Sequence, residues 1–135
     1  MTNDFHFELV SPECLLISDR VKAIILPSAC GKMTVMANHA PVLLVIKPGL
    51  LNIEFSSGKS VRYMVFKGFA NVIENRCTVL TESPVLFEDV AVSTLDQRIE
   101  LAQRELDDAD HNQHRLQIEQ FLMDLIHLRN TILSG

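Results

Sequence analysis

Two side chains in the first half of the chain could perform nucleophilic chemistry. Cys30 supplies a thiol and His39 supplies an imidazole, and a thiol beside a histidine base is one way to build a hydrolytic site. Their spacing does not bring them together, and a thiol packed in an apolar space or left at the surface is the commoner arrangement. A small hydrolase that uses Cys30 or His39 is therefore one hypothesis among three.

Signatures for phosphate and metal binding are incomplete. Gly58-Lys59-Ser60 resembles the end of a phosphate-binding loop, but the earlier glycine that this motif needs is Ile53, and a strand pattern rather than a helix follows. His111 and His114 have no cysteine pair or acid-histidine pattern beside them, so we expect no zinc site. We expect no other metal and no cofactor.

Strand patterns fill the first two-thirds of the chain. Period-two alternation or β-branched runs predict strands over residues 5–9, 14–17, 21–26, 50–55, 61–66, 69–73 and 76–80. Pro27 is expected to end the third of these strands. Two further apolar runs flank a polar corner at Ala37-Asn38-His39. Short strands with turn residues between them predict a β-sandwich or flattened barrel over residues 1–87.

Helical periodicity begins after Ser83-Pro84. Thr94 and Gln97 match a capping box, with Asp96 in the expected first turn. Apolar residues then recur every three or four positions from 95 to 109 and from 118 to 132, and residues 107–112 form a polar break. This predicts an antiparallel hairpin of two helices, each under about twenty residues, over residues 88–135. The fold class is mainly β with a C-terminal helical hairpin.

Composition excludes several functions. The 135 residues are 47% hydrophobic and carry a net charge of −5, so we expect no nucleic-acid partner. Residues 88–135 hold ten acids and four bases, so the acidity belongs to the predicted hairpin. Three scattered cysteines favour a reducing compartment. No apolar run approaches the roughly 20 residues that span a bilayer, so we expect a soluble chain without membrane insertion.

The order of several short stretches resembles the epsilon subunit of rotary ATP synthases. The stretches are His39-Ala40-Pro41, Ile46-Lys47-Pro48-Gly49-Leu50, residues 7–12, residues 67–72 and residues 75–82. The resemblance covers nearly the whole chain, including two C-terminal helices. It implies a non-catalytic central-stalk subunit of a proton-transporting synthase, peripheral on the cytoplasmic face of the bacterial inner membrane.

The resemblance also implies partner contacts at particular positions. Ser11, His39, Ala40, Pro41 and Leu44 correspond to positions that the family turns toward its gamma subunit. Cys30, Gly31 and Lys32 correspond to the loop that approaches the ring of membrane subunits. The alpha and beta subunits are further candidate partners for the helices, and the isolated chain is expected to be a monomer.

This sequence departs from the family in the loop and in the helices. Thr34 and Asn38 stand where the family has glycines; asparagine tolerates positive φ and threonine does not. Members that bind ATP have an arginine three residues after an aspartate. Here the matching residues are Leu95, Asp96 and Arg98, and the arginine follows the aspartate by only two residues. This one-residue difference turns Arg98 about 100° around the helix from the family's position. The ATP site is therefore not carried over.

The acidic hairpin bears on regulation. Inhibitory members extend basic helices toward an acidic segment of the catalytic subunits, an attraction that this hairpin lacks. We expect the helices to stay folded against the sandwich and to inhibit hydrolysis weakly.

A second hypothesis, beside the rotor subunit and the hydrolase, is an independent small-molecule-binding sandwich with a helical lid. It requires an internal pocket of roughly 300 Å³ or more between the sandwich and the helices.

Overall fold

The computed structural model describes residues 4–87, 92–108 and 113–134. The chain divides into two compact units, Met1–Glu88 and Asp89–Gly135. The strands of the first unit are β1 (Phe5–Val10), β2 (Leu15–Ser28), β3 (Gly31–Met36), β4 (Val42–Ile46), β5 (Gly49–Phe55), β6 (Ser60–Val65), β7 (Gly68–Ile73), β8 (Arg76–Thr81) and β9 (Val85–Leu86). The second unit contains helices α1 (Val92–Asp108) and α2 (Gln113–Ser134). The mainly β fold class with a helical hairpin is thereby confirmed.

The predicted strands at 14–17 and 21–26 are one continuous strand, β2. Its polar middle residues pair with β1, where Asp19 lies opposite Phe7. Pro27 does not end the strand: it lies opposite Lys32 of β3, and a proline can still accept a hydrogen bond through its carbonyl group. That carbonyl accepts a hydrogen bond of 3.0 Å from the Lys47 N–H, and Gly49 leaves room for the proline ring. The expected stop was therefore wrong.

The strands form two layers joined through β2. Its first half pairs with β1, and β1, β8, β7 and β4 follow in order. Its second half lies between β3 and β5, with β6 and β9 beyond β5. Inward-pointing side chains of both layers form one buried cluster that includes Phe7, Ile24, Leu51 and Val79. Burial of such side chains supplies most of the stabilisation, at about 1.5–3 kcal/mol for each one.

β5 and β6 form one hairpin, and β7 and β8 form another, with turns that suit their residues. Glu74 and Asn75 have φ of 47° and 59°, the left-handed pair expected of a tight two-residue turn between β7 and β8. Asn38 has φ of 66°, which confirms that asparagine supplies the left-handed conformation at this position. Thr34 lies in β3 opposite Ile25, where the chain is extended and threonine is well suited.

The helical unit differs from the prediction at its ends. α1 begins at Val92, so Thr94 is not the N-cap and Asp96 lies beyond the first turn. A serine or threonine in a first turn costs only a few tenths of a kcal/mol, so the helix is able to start ahead of Thr94. α2 has 22 residues rather than under twenty. The predicted break falls partly in α1, through Asp108, and partly outside the described residues, as do Ala109 and His111.

The two helices run antiparallel. Near the start of α1, Asp96 pairs with Arg129 of α2. Toward the other end, the Arg115 guanidinium donates to the Leu106 carbonyl over 2.9 Å. Among the described residues of this unit, the buried apolar side chains are Leu95, Ala102, Ile118, Leu122, Leu125 and Leu128. The periodicity from 118 to 132 predicted Phe121, rather than Leu122, on the apolar face; Leu122 is buried and Phe121 is half-buried.

We predict that Gly68→Ala destabilises the first unit by roughly 2–4 kcal/mol. A Cβ at Gly68 would overlap the backbone carbonyl oxygen of Leu80 on the neighbouring strand, and backbone in a ladder cannot turn aside. Urea unfolding followed by circular dichroism measures the loss. Gly58→Ala is the control, because its φ is 96° but nothing lies near its Cβ, so only about 1 kcal/mol of backbone strain is expected. Equal losses would contradict the steric explanation.

Candidate partner interface

A corner of residues 37–41 carries the chain from β3 in one layer to β4 in the other. The His39 N–H donates to the Met36 carbonyl over 3.2 Å, and the His39 ring nitrogen Nδ1 lies 2.7 Å from the Ala40 carbonyl oxygen. Ala40 and Pro41 are exposed and His39 is half-buried. The corner thus presents three of the five predicted gamma-facing residues on one short segment.

The turn between β2 and β3 holds the predicted ring-facing residues. Ser28 is buried, its hydroxyl donates to the Gly31 carbonyl over 2.6 Å, and it accepts the Cys30 N–H over 3.2 Å. Gly31 has φ of 111°, which a side chain would strain. Cys30 and Lys32 are exposed. The turn is therefore a tip with a fixed backbone and two accessible side chains.

Strand β3 separates this turn from the corner. Its six residues span about 20 Å at the usual rise of a strand, with Cys30 before one end and His39 beyond the other. A thiol and its base must lie within hydrogen-bond reach. The structure therefore does not bring Cys30 and His39 together, so it lacks the thiol–base pair that a hydrolase using both residues would need.

Ser11 and Leu44 have roles inside the first unit. Ser11 is 5% exposed, and its hydroxyl lies 3.3 Å from both the amide nitrogen and the carbonyl oxygen of Cys14, which shapes the turn into β2. Leu44 is 8% exposed and belongs to the core cluster. Their side chains are buried within the first unit, so the gamma-facing prediction depends on the exposed corner.

Sequence reasoning did not identify an apolar row across the outer face of the β4-β7-β8-β1-β2 layer. The row consists of five residues that are register partners on successive strands: Val45, Phe69, Leu80, Val10 and Leu15. Val45 is 55% exposed and Phe69 is 54% exposed. A contiguous exposed apolar surface on a rigid sheet is typical of a protein interface. The signal was visible in β4, whose residues are apolar on both faces.

The three thiols lie in different surroundings. Cys14 and Cys30 are exposed, and Cys77 is buried on β8. Burial raises the pKa of the Cys77 thiol from 9.0 to about 12, because the interior disfavours the thiolate. Cys77 is therefore a core side chain and not a nucleophile at neutral pH.

The helical unit uses the residues of the degenerate ATP motif for its own packing. Leu95 is 1% exposed, and the Asp96 carboxylate pairs with Arg129. Arg98 is half-buried. The surroundings of these three residues give no reason to propose an ATP site at the motif. Within the described ranges, no three histidine, cysteine or acidic side chains cluster in a way that could hold a metal ion.

A hollow of about 260 Å³ lies in the first unit, over β2, β5 and β6. Its polar lining includes Asn52, Glu54 and Arg62, and every lining residue comes from the sandwich. Arg62 also stacks over the Phe87 ring, 4.2 Å from its centroid, beside β9.

As for the membrane, neither described helix has the length and apolarity to cross a bilayer.

Fold and surface together define a class of protein: an all-β sandwich domain with an exposed apolar sheet face, followed in the chain by a helical hairpin. Residues 4–86 match the β-sandwich domain of the ATP synthase delta/epsilon chain. The chain is 47% identical over 135 residues to the ATP synthase epsilon chain of Allorhizobium ampelinum, with all of both chains covered. It is 46% identical over 132 residues to that of Rhizobium etli, covering 98% of each. The chain belongs to the ATP synthase epsilon chain family.

Solved structures share the fold. A chain in the Euglena gracilis mitochondrial ATP synthase matches with a TM-score of 0.75 at 24% identity, covering 98% of this chain and 83% of that one. A chain from the central stalk and c-ring of the Tetrahymena thermophila enzyme matches with a TM-score of 0.65 at 13% identity, covering 94% of each.

We predict that a thiol reagent modifies Cys14 and Cys30 in the native protein at pH 8, and Cys77 only after unfolding. The raised pKa also has a stability consequence. The folded state holds the Cys77 proton more tightly than the unfolded state, so this contribution is complete below pH 9.0 and is lost as the pH rises toward about 12. Cys77→Ala should remove that part of the alkaline loss in unfolding experiments. Rapid native labelling of all three thiols would contradict the assignment.

Proposed function

We propose that this chain is a non-catalytic central-stalk subunit of ATP synthase, which couples proton-driven rotation of the membrane ring to ATP synthesis through contact with the gamma subunit. The single observation that carries the proposal is the exposed apolar row on the sandwich. A part that transmits torque needs a stiff body with a broad, fixed contact surface. Two layers sharing β2 provide the body, and the row provides the surface.

The gamma contact comprises the apolar row and the corner of residues 37–41. β4 links them directly, because Pro41 immediately precedes the strand that carries Leu43 and Val45. Leu43 is 69% exposed on the same face. Adjacent strands lie about 4.8 Å apart, so five strands make a surface roughly 20 Å wide. This is wide enough for one helix or helix pair of a partner to lie across it.

The β2–β3 turn is the contact with the membrane ring. Its accessible Cys30 and Lys32 lie at the opposite end of β3 from the corner, so the two partners need not compete for one surface. The Ala29 N–H donates to the Val45 carbonyl over 2.9 Å, which ties the turn to the strand that carries part of the apolar row. The chain accordingly works as a peripheral subunit on the cytoplasmic face of the bacterial inner membrane, and is a monomer when isolated.

The helical hairpin is a separate domain with a weak regulatory role. Its ten acids and four bases over residues 88–135 would repel an acidic segment of the alpha or beta subunits. Close like charges oppose docking. The proposed domain boundary lies at residues 87–88, directly after Phe87.

Removing the Phe69 side chain is predicted to weaken gamma binding. Phe69→Ser should raise the Kd for the purified gamma subunit about tenfold to a hundredfold, since a central aromatic residue often contributes 1–3 kcal/mol. The sandwich should stay folded, because Phe69 is already 54% exposed in the isolated chain. Titration calorimetry measures the Kd and the expected 1:1 stoichiometry.

Leu101→Ser is the matched control for that variant. Leu101 is also 54% exposed but lies on α1, which contributes no residue to the proposed interface. It should leave the gamma Kd unchanged within about twofold. Equal affinity of the Phe69→Ser variant and the wild type would contradict the assignment of the row to gamma.

Removing the hairpin is predicted to change ATP hydrolysis little. A chain ending at Phe87 retains β9 and the Arg62 contact, so the sandwich should still assemble into the synthase complex. Hydrolysis by that complex should stay within about twofold of the complete enzyme, because an acidic hairpin lacks the attraction needed to hold an inhibited state. Steady-state hydrolysis by membranes containing each form is the measurement. A sharp rise on truncation would overturn the proposed weak regulation.

A further inference from the structure

The side-chain amide of Asn75 connects two distant parts of the first unit. Its Oδ1 accepts the Asn38 N–H over 2.8 Å, and its Nδ2 donates to the Asp4 carbonyl over 3.1 Å. The orientation of the amide is fixed by chemistry, because a backbone N–H only donates and a carbonyl only accepts. Asn75 also receives the His6 N–H on its own carbonyl over 3.3 Å. One residue of a tight turn is thereby bonded both to the start of β1 and to the corner.

The corner needs such a support. Between the end of β3 at Met36 and the start of β4 at Val42, the chain lies outside the strand ladders. Asn38 adopts φ of 66° there, a conformation in which most residues are strained. The bond from Asn75 satisfies the Asn38 N–H and holds this peptide relative to the β7–β8 turn.

The other end of the connection is anchored. The Asp4 carboxylate pairs with the Arg20 guanidinium at 2.6 Å and accepts the Ser56 hydroxyl at 2.8 Å. Arg20 lies on β2 and Ser56 lies in the β5–β6 turn, so Asp4 is tied to the second layer as well. The amide of Asn75 is therefore held between a fixed carbonyl and the corner.

We propose that Asn75 is a positioning residue for the docking surface: it holds the corner of residues 37–41 at the angle that presents His39, Ala40 and Pro41 beside the apolar row. A pre-ordered segment loses less conformational freedom when its partner binds, and affinity rises accordingly. That the partner is the gamma subunit rests on the proposed function. The hydrogen bond and its effect on the corner do not.

Asn75→Gly is the test variant, because glycine keeps the left-handed turn without strain and deletes only the amide. Glu74→Gly is the matched control, since Glu74 is the exposed other residue of the same turn, with φ of 47°. Asn75→Asp keeps an acceptor for the Asn38 N–H and serves as the conservative variant. Amide hydrogen exchange by NMR follows Asn38 against core amides such as that of Leu51, and calorimetry gives the Kd for purified gamma subunit.

Asn75→Gly should speed exchange of the Asn38 amide about tenfold, as loss of one local hydrogen bond allows, while the core amides change little. It should weaken gamma binding about fivefold to tenfold through the lost pre-ordering. Glu74→Gly should alter neither quantity, and Asn75→Asp should restore most of the Asn38 protection.

The outcomes separate the two proposals. Unchanged Asn38 exchange in Asn75→Gly would overturn the positioning role. Faster Asn38 exchange with unchanged gamma affinity would overturn the claim that the corner is positioned for docking. A wild-type chain that does not bind gamma would instead overturn the proposed function, and the exchange measurements would still report whether Asn75 holds the corner.

Discussion

Strand β2 pairs with β1, β3, β4 and β5, so one continuous segment belongs to both layers of the sandwich. Its first half closes the layer that carries the apolar row, and its second half is the centre of the other layer. Val21, Ile24 and Leu26 point inward from it and are fully buried. Because both layers share this strand, they cannot slide relative to each other without breaking ladder hydrogen bonds. The stiffness of the sandwich and the spacing of its surfaces follow from that constraint.

The apolar row depends on this rigid sandwich, which holds its five residues in a fixed arrangement. Phe69 and Leu80 point outward from strands whose inward residues, Ala70 and Val79, are buried. These strands are therefore apolar on both faces, as expected where one face covers the core and the other meets a partner. An exposed apolar surface is a hazard for a free chain, since it promotes nonspecific association. A subunit held permanently in a complex avoids that cost and gains a broad contact.

Local patterns in the sequence predicted most of the fold and only part of the interface. Period-two alternation located β1 and β5, and apolar and β-branched residues located the strands on either side of Glu74-Asn75, because those signals lie within a few neighbouring residues. Pro27 misled because its carbonyl group accepts a hydrogen bond from Lys47, between β4 and β5, which composition does not reveal. The bond between Asn38 and Asn75 joins residues 37 positions apart, and only the folded register brings them together. The row is likewise assembled from five strands, each contributing one residue that is unremarkable alone.

The two units differ in how much apolar surface they bury, and this difference matches their proposed roles. The sandwich has a core drawn from most of its strands, whereas the described part of the hairpin buries a single line of side chains between two helices. Such a pair is close to the size at which helices are marginal in water. α2 also carries exposed apolar residues, which are Leu116, Met123, Ile126 and Leu133. A marginal unit can change its packing at low cost, while a sandwich locked through β2 cannot. These properties fit the proposed assignment of docking and torque to the first unit and of weak regulation to the second.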